Sequence, residues 1–412
     1  MKRTFTILAA ALLLLLPACE KMNREKDLKP EDLTNQVPIE LTKAEMGVRD
    51  ASNDFGLHTF SLLYDEGRKG DAVFSPLSLS LALGMVAEGA EGDTWKQFAD
   101  VIGWGQASKE EVGAYYQKMV DGLAKVDPSV LLTSANSFWA AKNLSLKREF
   151  TNLLTQYFAA ESYSVDFSRS ATLDQINQWC SDKTDGKITK MLATLNPDTR
   201  LMLINALLYK APWSFSWEIQ KNREFSGANG TKSRKDYLYV KDQGMAYGDY
   251  GDFEVVRVPY GNKAYMMDVI LPRPGKTIAD ILAQLDSETL NYGLGSAEVT
   301  LYLPKWSFSY STEDLLPVIL KKEGLTLPFS RQADFSGISQ EPLFINLVTQ
   351  KVQIDVTEKG TEFAAVTVVG MLTGGPLPIT PPKVTVDVNR PFLYAIREST
   401  SGTVLLLGTL SN

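Results

Sequence analysis

From Thr42 onward the apolar positions recur at helical spacing. Thr42 and Glu45 form a capping box, and Val48, Ala51, Phe55, His58 and Leu62 follow at three- and four-residue steps, which predicts a helix with one buried stripe. Ser75-Pro76 reads as an N-cap with proline at the first helical position, and the helix it opens stops in Gly89-Ala90-Glu91-Gly92. Thr94 with Gln97 reads as a capping box for the next helix, and Phe150, Leu153, Leu154, Tyr157 and Phe158 mark another. The period then changes. Strand-like runs occupy Leu201–Tyr209, Ala264–Leu271, Glu298–Leu303, Lys351–Val356, Val384–Val388, Phe392–Ile396 and Thr403–Leu410, separated by Gly, Pro and Asn. The expected class is α+β, helices first and mostly antiparallel strands later, with no repeat or low-complexity tract to divide the body.

Two stretches break the pattern. Asn205 lies inside the apolar run Leu201–Leu208, where a buried amide needs partners. Thr361–Thr373 reads TEFAAVTVVGMLT, with one charge, and runs into Gly374-Gly375-Pro376-Leu377-Pro378-Ile379-Thr380-Pro381-Pro382, which no ladder continues. Two readings stay open for it. The segment is either a long edge hairpin or a conditional strand, held out as a loop and able to enter a sheet later; left exposed, it is an aggregation hazard.

Composition narrows the function. The 412 residues include 42 Lys and Arg against 49 Asp and Glu, a net charge of -7 with no dense basic stripe, so nucleic acid is not the expected partner. A single histidine, His58, excludes a multi-histidine metal site, and its place on the α-helical stripe reads as core rather than catalytic. At the N-terminus, Met1-Lys2-Arg3 and the apolar run Ile7–Leu16 read as a signal peptide over residues 1–18, closing in Leu16-Pro17-Ala18-Cys19. That closing motif is similar to a bacterial lipobox, which makes Cys19 the expected lipid attachment, with an ordinary signal peptide as the other reading. From Glu20 to Asp32 nine of thirteen residues are charged, so 19–40 reads as a solvated spacer that reaches about 25 Å from a lipid surface. The chain is expected to be exported and to touch membrane through that anchor only. Cys180 then has no partner for a disulfide, and its helical surroundings read as a buried, inert thiol.

From about Leu41 to the C-terminus the sequence resembles the serpins. FSPLSLSLALGMVAEGAEGDTWKQF (74–98) is similar to the family's helix-B segment and LMLINALLYKAPWSF (201–215) to its central strand and following tryptophan. VTEKGTEFAAVTVV (356–369) is similar to its reactive-loop hinge, and NRPFLYAIRESTSGTVLLLGTL (389–410) to its closing strands. The resemblance implies a single domain over 41–412 with three β-sheets, eight or nine helices and an exposed reactive loop at about 358–383. It implies no enzyme but a monomeric suicide inhibitor of serine, and sometimes cysteine, endopeptidases, working through a covalent acyl-enzyme complex without a cofactor or metal. A non-inhibitory serpin that acts as a surface binding protein is the alternative.

The resemblance also assigns roles. Glu358, Lys359, Gly360, Thr361 and Glu362 match the hinge, and Ala364, Ala365 and Thr367 its small residues. Phe363 stands where the family usually has alanine, and a ring on the inward face is expected to slow insertion. Ser75, Ser78 and Asn205 match the polar cluster that controls sheet opening, with Gln350 in place of the usual histidine. Register from Glu358 puts the scissile bond near Gly374-Gly375, with Met371, Leu372 and Thr373 as nearby candidates. Between Gly360 and Pro382 there is no Lys or Arg. The expected targets are therefore elastase-like, subtilisin-like or papain-like rather than trypsin-like.

Overall fold

Helices form where the capping signals stand. Thr42 N donates to Glu45 Oε2 (2.7 Å) while Glu45 N donates to Thr42 Oγ1, and Ser75 Oγ accepts from Ser78 N (3.1 Å) at the head of the Pro76 helix. The computed structural model describes residues 36–66, 69–291, 293–312, 315–361 and 381–412. Cys19, Glu362, Phe363, Ala364, Ala365, Thr367, Met371, Leu372, Thr373, Gly374 and Gly375 lie outside the described residues.

Among the described residues there are nine α-helices: α1 (Lys43–Glu66), α2 (Pro76–Ala87), α3 (Gly92–Ile102), α4 (Lys109–Leu123), α5 (Arg148–Phe158), α6 (Ser170–Lys183), α7 (Ile278–Leu282), α8 (Ser287–Asn291) and α9 (Leu315–Lys322). The strands are β1 (Ala72–Phe74), β2 (Leu131–Ala141), β3 (Glu161–Val165), β4 (Leu201–Pro212), β5 (Glu218–Ser226), β6 (Lys232–Asp249), β7 (Phe253–Tyr260), β8 (Tyr265–Pro272), β9 (Gly295–Pro304), β10 (Trp306–Ser311), β11 (Lys351–Thr357), β12 (Gly360–Thr361), β13 (Lys383–Asp387), β14 (Phe392–Glu398) and β15 (Val404–Leu410).

Six strands form one sheet in the order β10-β11-β12-β4-β2-β3. The other nine form the path β1-β15-β14-β8-β7-β6-β9-β13, with β5 on β6. The long β6 joins two arms of that path: it pairs with β5 and β9 along most of its length and with β7 at Ala246–Asp249. Its register slips between Val240 and Gln243, where Asp242 takes φ 48°. The bulge bends β6, but its ladder with β9 continues on both sides, so the described strands form two hydrogen-bonded sheets, of nine and of six strands.

β4 is the wall between two cores. Met202, Ile204 and Ala206 pack with Ile176, Trp179 and Cys180 of α6 on one face, and Leu203, Leu207 and Tyr209 face the main core on the other. Burial pushes the Cys180 thiol up to about 12, which leaves it protonated and inert at neutral pH. β14 and β15 are buried along their whole length, which explains their unbroken apolar runs.

Three local expectations change. His58 is exposed, not core. The buried track of α1 runs through Val48, Ser52, Phe55, Thr59 and Leu63 instead, because tertiary partners receive polar groups there. Asn53 donates to Gly402 O (3.0 Å) and accepts from Val404 N (3.0 Å), and Thr59 Oγ1 donates to Glu323 (2.9 Å). Likewise α3 begins at Gly92 with Glu91 at its N-cap. Thr94 Oγ1 accepts instead from Asp334 N (2.8 Å) and Gln97 Oε1 from Leu327 N (2.6 Å), so the segment after α9 occupies the intended capping groups. Finally, the helix-rich first half contains β2, whose sequence LLTSANSFWAA has no period of two because it is covered on both faces.

Glu88 ends α2 with a buried side chain. Burial pushes its carboxyl from 4.5 to about 8, against the pull of Lys109, while Glu110 adds to the rise. Between those values the folded chain holds a proton that the unfolded chain has released, so stability falls as pH rises through the window. In urea unfolding, Glu88→Gln is expected to lie close to the parent near pH 5 and to exceed it by about 4 kcal/mol near pH 8. Identical pH dependence in both proteins would refute this.

Candidate functional site

The hinge begins where β11 turns back on itself. Gly360 and Thr361 form β12, antiparallel to both neighbours: Thr361 stands opposite Val356 of β11 and Ala211 of β4, and Gly360 opposite Thr357 and Pro212. Gly360 takes φ 138°, and a Cβ there would lie 2.0 Å from Ala211 O and 2.8 Å from Pro212 Cα. Only glycine meets both demands.

Long-range contacts hold this turn at the top of the sheet. Trp213 Nε1 donates to Thr357 O (2.8 Å), and its ring stacks on Tyr260 at 4.3 Å and 11°. The Tyr260 hydroxyl bonds Thr361 Oγ1 at 2.6 Å, and burial raises the tyrosine's pKa, so this contact stays neutral. Lys305 Nζ donates to Glu358 Oε2 (2.6 Å) and thereby holds that carboxyl below its ordinary 4.5. Lys359 is exposed, with its backbone N donating to Thr357 Oγ1 (3.3 Å). Sequence reasoning missed Lys305 and Tyr260; both lie far along the chain, and neither carries a local signal.

β4 and β11 run parallel, and among the described residues no pairing joins them directly. Below Thr361 they frame a slot walled by Leu207, Tyr209, Val352 and Ile354, with Leu406 of β15 also lining it. Every other internal neighbour in this sheet is paired along most of its length: β2 with β4 over Leu131–Ala140, and β10 with β11 over Lys351–Val356. The slot is one strand wide.

Beneath its lower end lies the polar cluster. Gln350 Oε1 accepts from Ser75 N (2.6 Å) and Gln350 Nε2 donates to Ser75 O (3.0 Å), so the amide pairs with the Ser75 backbone as a strand neighbour would. Ser75 Oγ donates to Leu405 O (2.7 Å), tying β15 to the head of α2. Asn205 is half-buried and does not touch Gln350. Its Nδ2 donates to Asn136 Oδ1 (2.7 Å) and Ser134 Oγ (3.1 Å) on β2, partners that sequence reasoning did not name. Ser78, Asn205 and Gln350 nonetheless line one cavity.

The family model described as Serpin (serine protease inhibitor) matches residues 50–412. Iripin-8 of the tick Ixodes ricinus is 31% identical over 388 residues, 90% of this chain and 95% of its own length. A serpin-like protein of the archaeon Thermococcus kodakarensis is 30% identical, over 89% of this chain and 86% of its own. Among solved structures, the thermophilic serpin tengpin in its native state superposes with a TM-score of 0.79 at 27% identity, over 90% of this chain and 95% of its own.

Gly360→Ala sets a side chain against Ala211 O at a φ that L residues avoid. The variant is expected to lose about 2 kcal/mol and to expel the hinge from the sheet. Hydrogen exchange at the Thr361 amide reports this directly, and unchanged protection there would overturn the assignment of Gly360 as the turn's steric requirement.

Proposed function

The chain belongs to the serpin family, and from that premise we propose that it is a conformational-trapping inhibitor of endopeptidases. The observation that carries the proposal is the start of a strand at Gly360–Thr361 between parallel β4 and β11, above a slot where no described strand pairs with either. A target serine or cysteine attacks the scissile carbonyl near Gly374-Gly375 and forms an acyl-enzyme. The peptide C–N bond breaks, and the new amine leaves with a proton. The freed segment then continues β12 downward before water reaches the ester.

The register at Gly360 and Thr361 supports one course for the segment if it continues the strand. Extended from Thr361, it sets Phe363 opposite Tyr209 and Ile354, Ala365 opposite Leu207 and Val352, and Thr367 between Asn205 and Gln350. Thr361 is buried, so in a continued strand the residues at steps of two from it would share its inward face. The acceptor β4 has 12 residues, so a strand from Gly360 to Met371 would span about 36 Å. Some ten new ladder bonds at about 1 kcal/mol net contribute on the order of 10 kcal/mol, comparable to the stability of a whole domain. That is enough to drag an attached protease and deform its site, where about 1 Å of misplacement slows chemistry a hundredfold.

Phe363 favours the second reading, a non-inhibitory serpin. Its ring would enter between Tyr209 and Ile354, both buried, with Leu406 also on the wall. If that step stalls, water wins and the protein behaves as a substrate. We also propose that the chain is exported and lipid-anchored at Cys19, which the signal-like leader supports. Mass spectrometry of the mature N-terminus is expected to show an acylated cysteine, and an unmodified N-terminus at another residue would remove the anchor.

Inhibition predicts an SDS-stable complex with an elastase-like enzyme, none with trypsin, and a melting temperature that rises sharply once the loop is nicked. Complete cleavage without complex, and equal melting of nicked and intact protein, would sink the inhibitory reading. Efficient trapping of trypsin by a cut between Gly360 and Pro382 would sink the specificity.

A further inference from the structure

Among the described residues one buried acid is unlike the rest. Glu45, Asp127, Glu254, Asp268 and Glu398 are buried and each accepts from a side-chain donor, as Asp268 does from Arg257 and Glu398 from Ser401. Glu88, at the end of α2, is 6% exposed, and no described residue bonds its carboxyl. The groups that face it supply no partner. Lys109 of α4 donates instead to Ala90 O and to Glu91 Oε1 (3.0 Å), and Glu110 of the same helix adds a like charge. Tyr157 of α5 also faces it, while Asp334 of the segment after α9 is offset by Lys109 and Lys147. A buried carboxylate without a donor is costly, so the group keeps its proton: burial pushes it up to about 8.

Its place in the fold gives that proton a lever. Immediately after Glu88 the chain is pressed on residues 334–338: a Cβ on Gly89 would lie 2.1 Å from Ile338 Cγ1, one on Gly337 would lie 2.7 Å from Gly89 O, and Glu91 N donates to Asp334 O (2.9 Å). At the other end of α2 the Ser75 backbone pairs with the Gln350 amide. The helix therefore holds both ends of the 334–350 segment, which feeds directly into β11. Widening the slot moves β11, so that segment must slip along α2. Packing this close does not yield by degrees; it is either seated or parted.

We propose that Glu88 is a proton-operated catch on that slip: with its proton the side chain keeps the tail of α2 seated on residues 334–338, and without it the two part. Burial sets the sign. The charged form is disfavoured only where it is buried, so the catch holds at neutral and mildly acid pH and releases as pH rises through about 8. A functional consequence rests on the inhibitory reading. Once the catch is released the barrier to widening falls, so the cut strand enters sooner and water reaches the acyl-enzyme less often. Alkaline conditions would then favour trapping over turnover.

The catch is tested by following the Ile338 methyl and Glu91 amide resonances of the full-length protein from about pH 6 to about pH 9.5, in the parent and in Glu88→Gln. The parent is expected to show a titration step centred near pH 8, and the variant none. Glu88→Leu, also uncharged, takes the place of Glu88→Gln should that variant not fold. Flat resonances in the parent, or the same step in the uncharged variant, would overturn the catch. For the coupling, both proteins are mixed with the same elastase-like enzyme at each pH, so that the enzyme's own pH dependence cancels in the comparison. SDS-stable complex is expected in equal yield near pH 7 and in about threefold greater yield from the parent near pH 9. Equal yields near pH 9 overturn the coupling; no complex from either protein overturns the inhibitory reading, and with it the coupling, while the resonances still decide the catch.

Discussion

Two parallel strands, β4 and β11, stand side by side in one sheet without bonding each other, and the rest of the molecule is arranged around that fact. A parallel pair one strand's width apart leaves room for a third strand between them, and here that strand runs antiparallel to both. Gly360–Thr361 begins such a strand. The turn that starts it is possible because Gly360 has no Cβ to strike Ala211 O, and it is held by contacts from three distant parts of the chain: Ala211–Trp213, Tyr260 and Lys305. Backbone groups along the two edges make the slot a place where further ladder bonds can form at once, in a register already set.

The slot is kept from closing or spreading by what lies on either face. β4 is shared between two cores, so it cannot move without disturbing both the α6 cluster and the main core. Below, the Gln350 amide ties the lower end of β11 to the head of α2, and Ser75 ties α2 to β15. These are hydrogen bonds rather than packing, so they can exchange partners without leaving a void. Ser78 Oγ and Asn205 Oδ1 beside it have no partner among the described residues.

Much of this was legible along the chain. The capping box at Thr42, the Ser75-Pro76 helix start and the seven strand-like runs are local signals, set by backbone sterics and side-chain period, and the fold contains each of them. The motifs around 74–98, 201–215 and 356–410 fall on α2, β4, the hinge and the closing strands. The misses share one cause. His58 and the Thr94 cap were judged from spacing within a single helix, whereas burial is decided by which partners arrive from elsewhere: Gly402, Val404 and Glu323 at α1, and the 326–334 segment at α3. β2 was illegible for a related reason, since a strand covered on both faces loses its alternation.

The sequence by itself determined the family, the α+β class and the inert Cys180, because each rests on residue type or short-range pattern. Only the tertiary structure decided that Asn205 bonds β2 rather than Gln350, that Lys305 grips Glu358, and that two buried polar atoms face an apolar cavity. Those contacts join residues from 53 to 275 positions apart in the case of Lys305–Glu358 and Ser75–Gln350. No periodicity reaches so far; such pairs exist only once the packed core has brought them together.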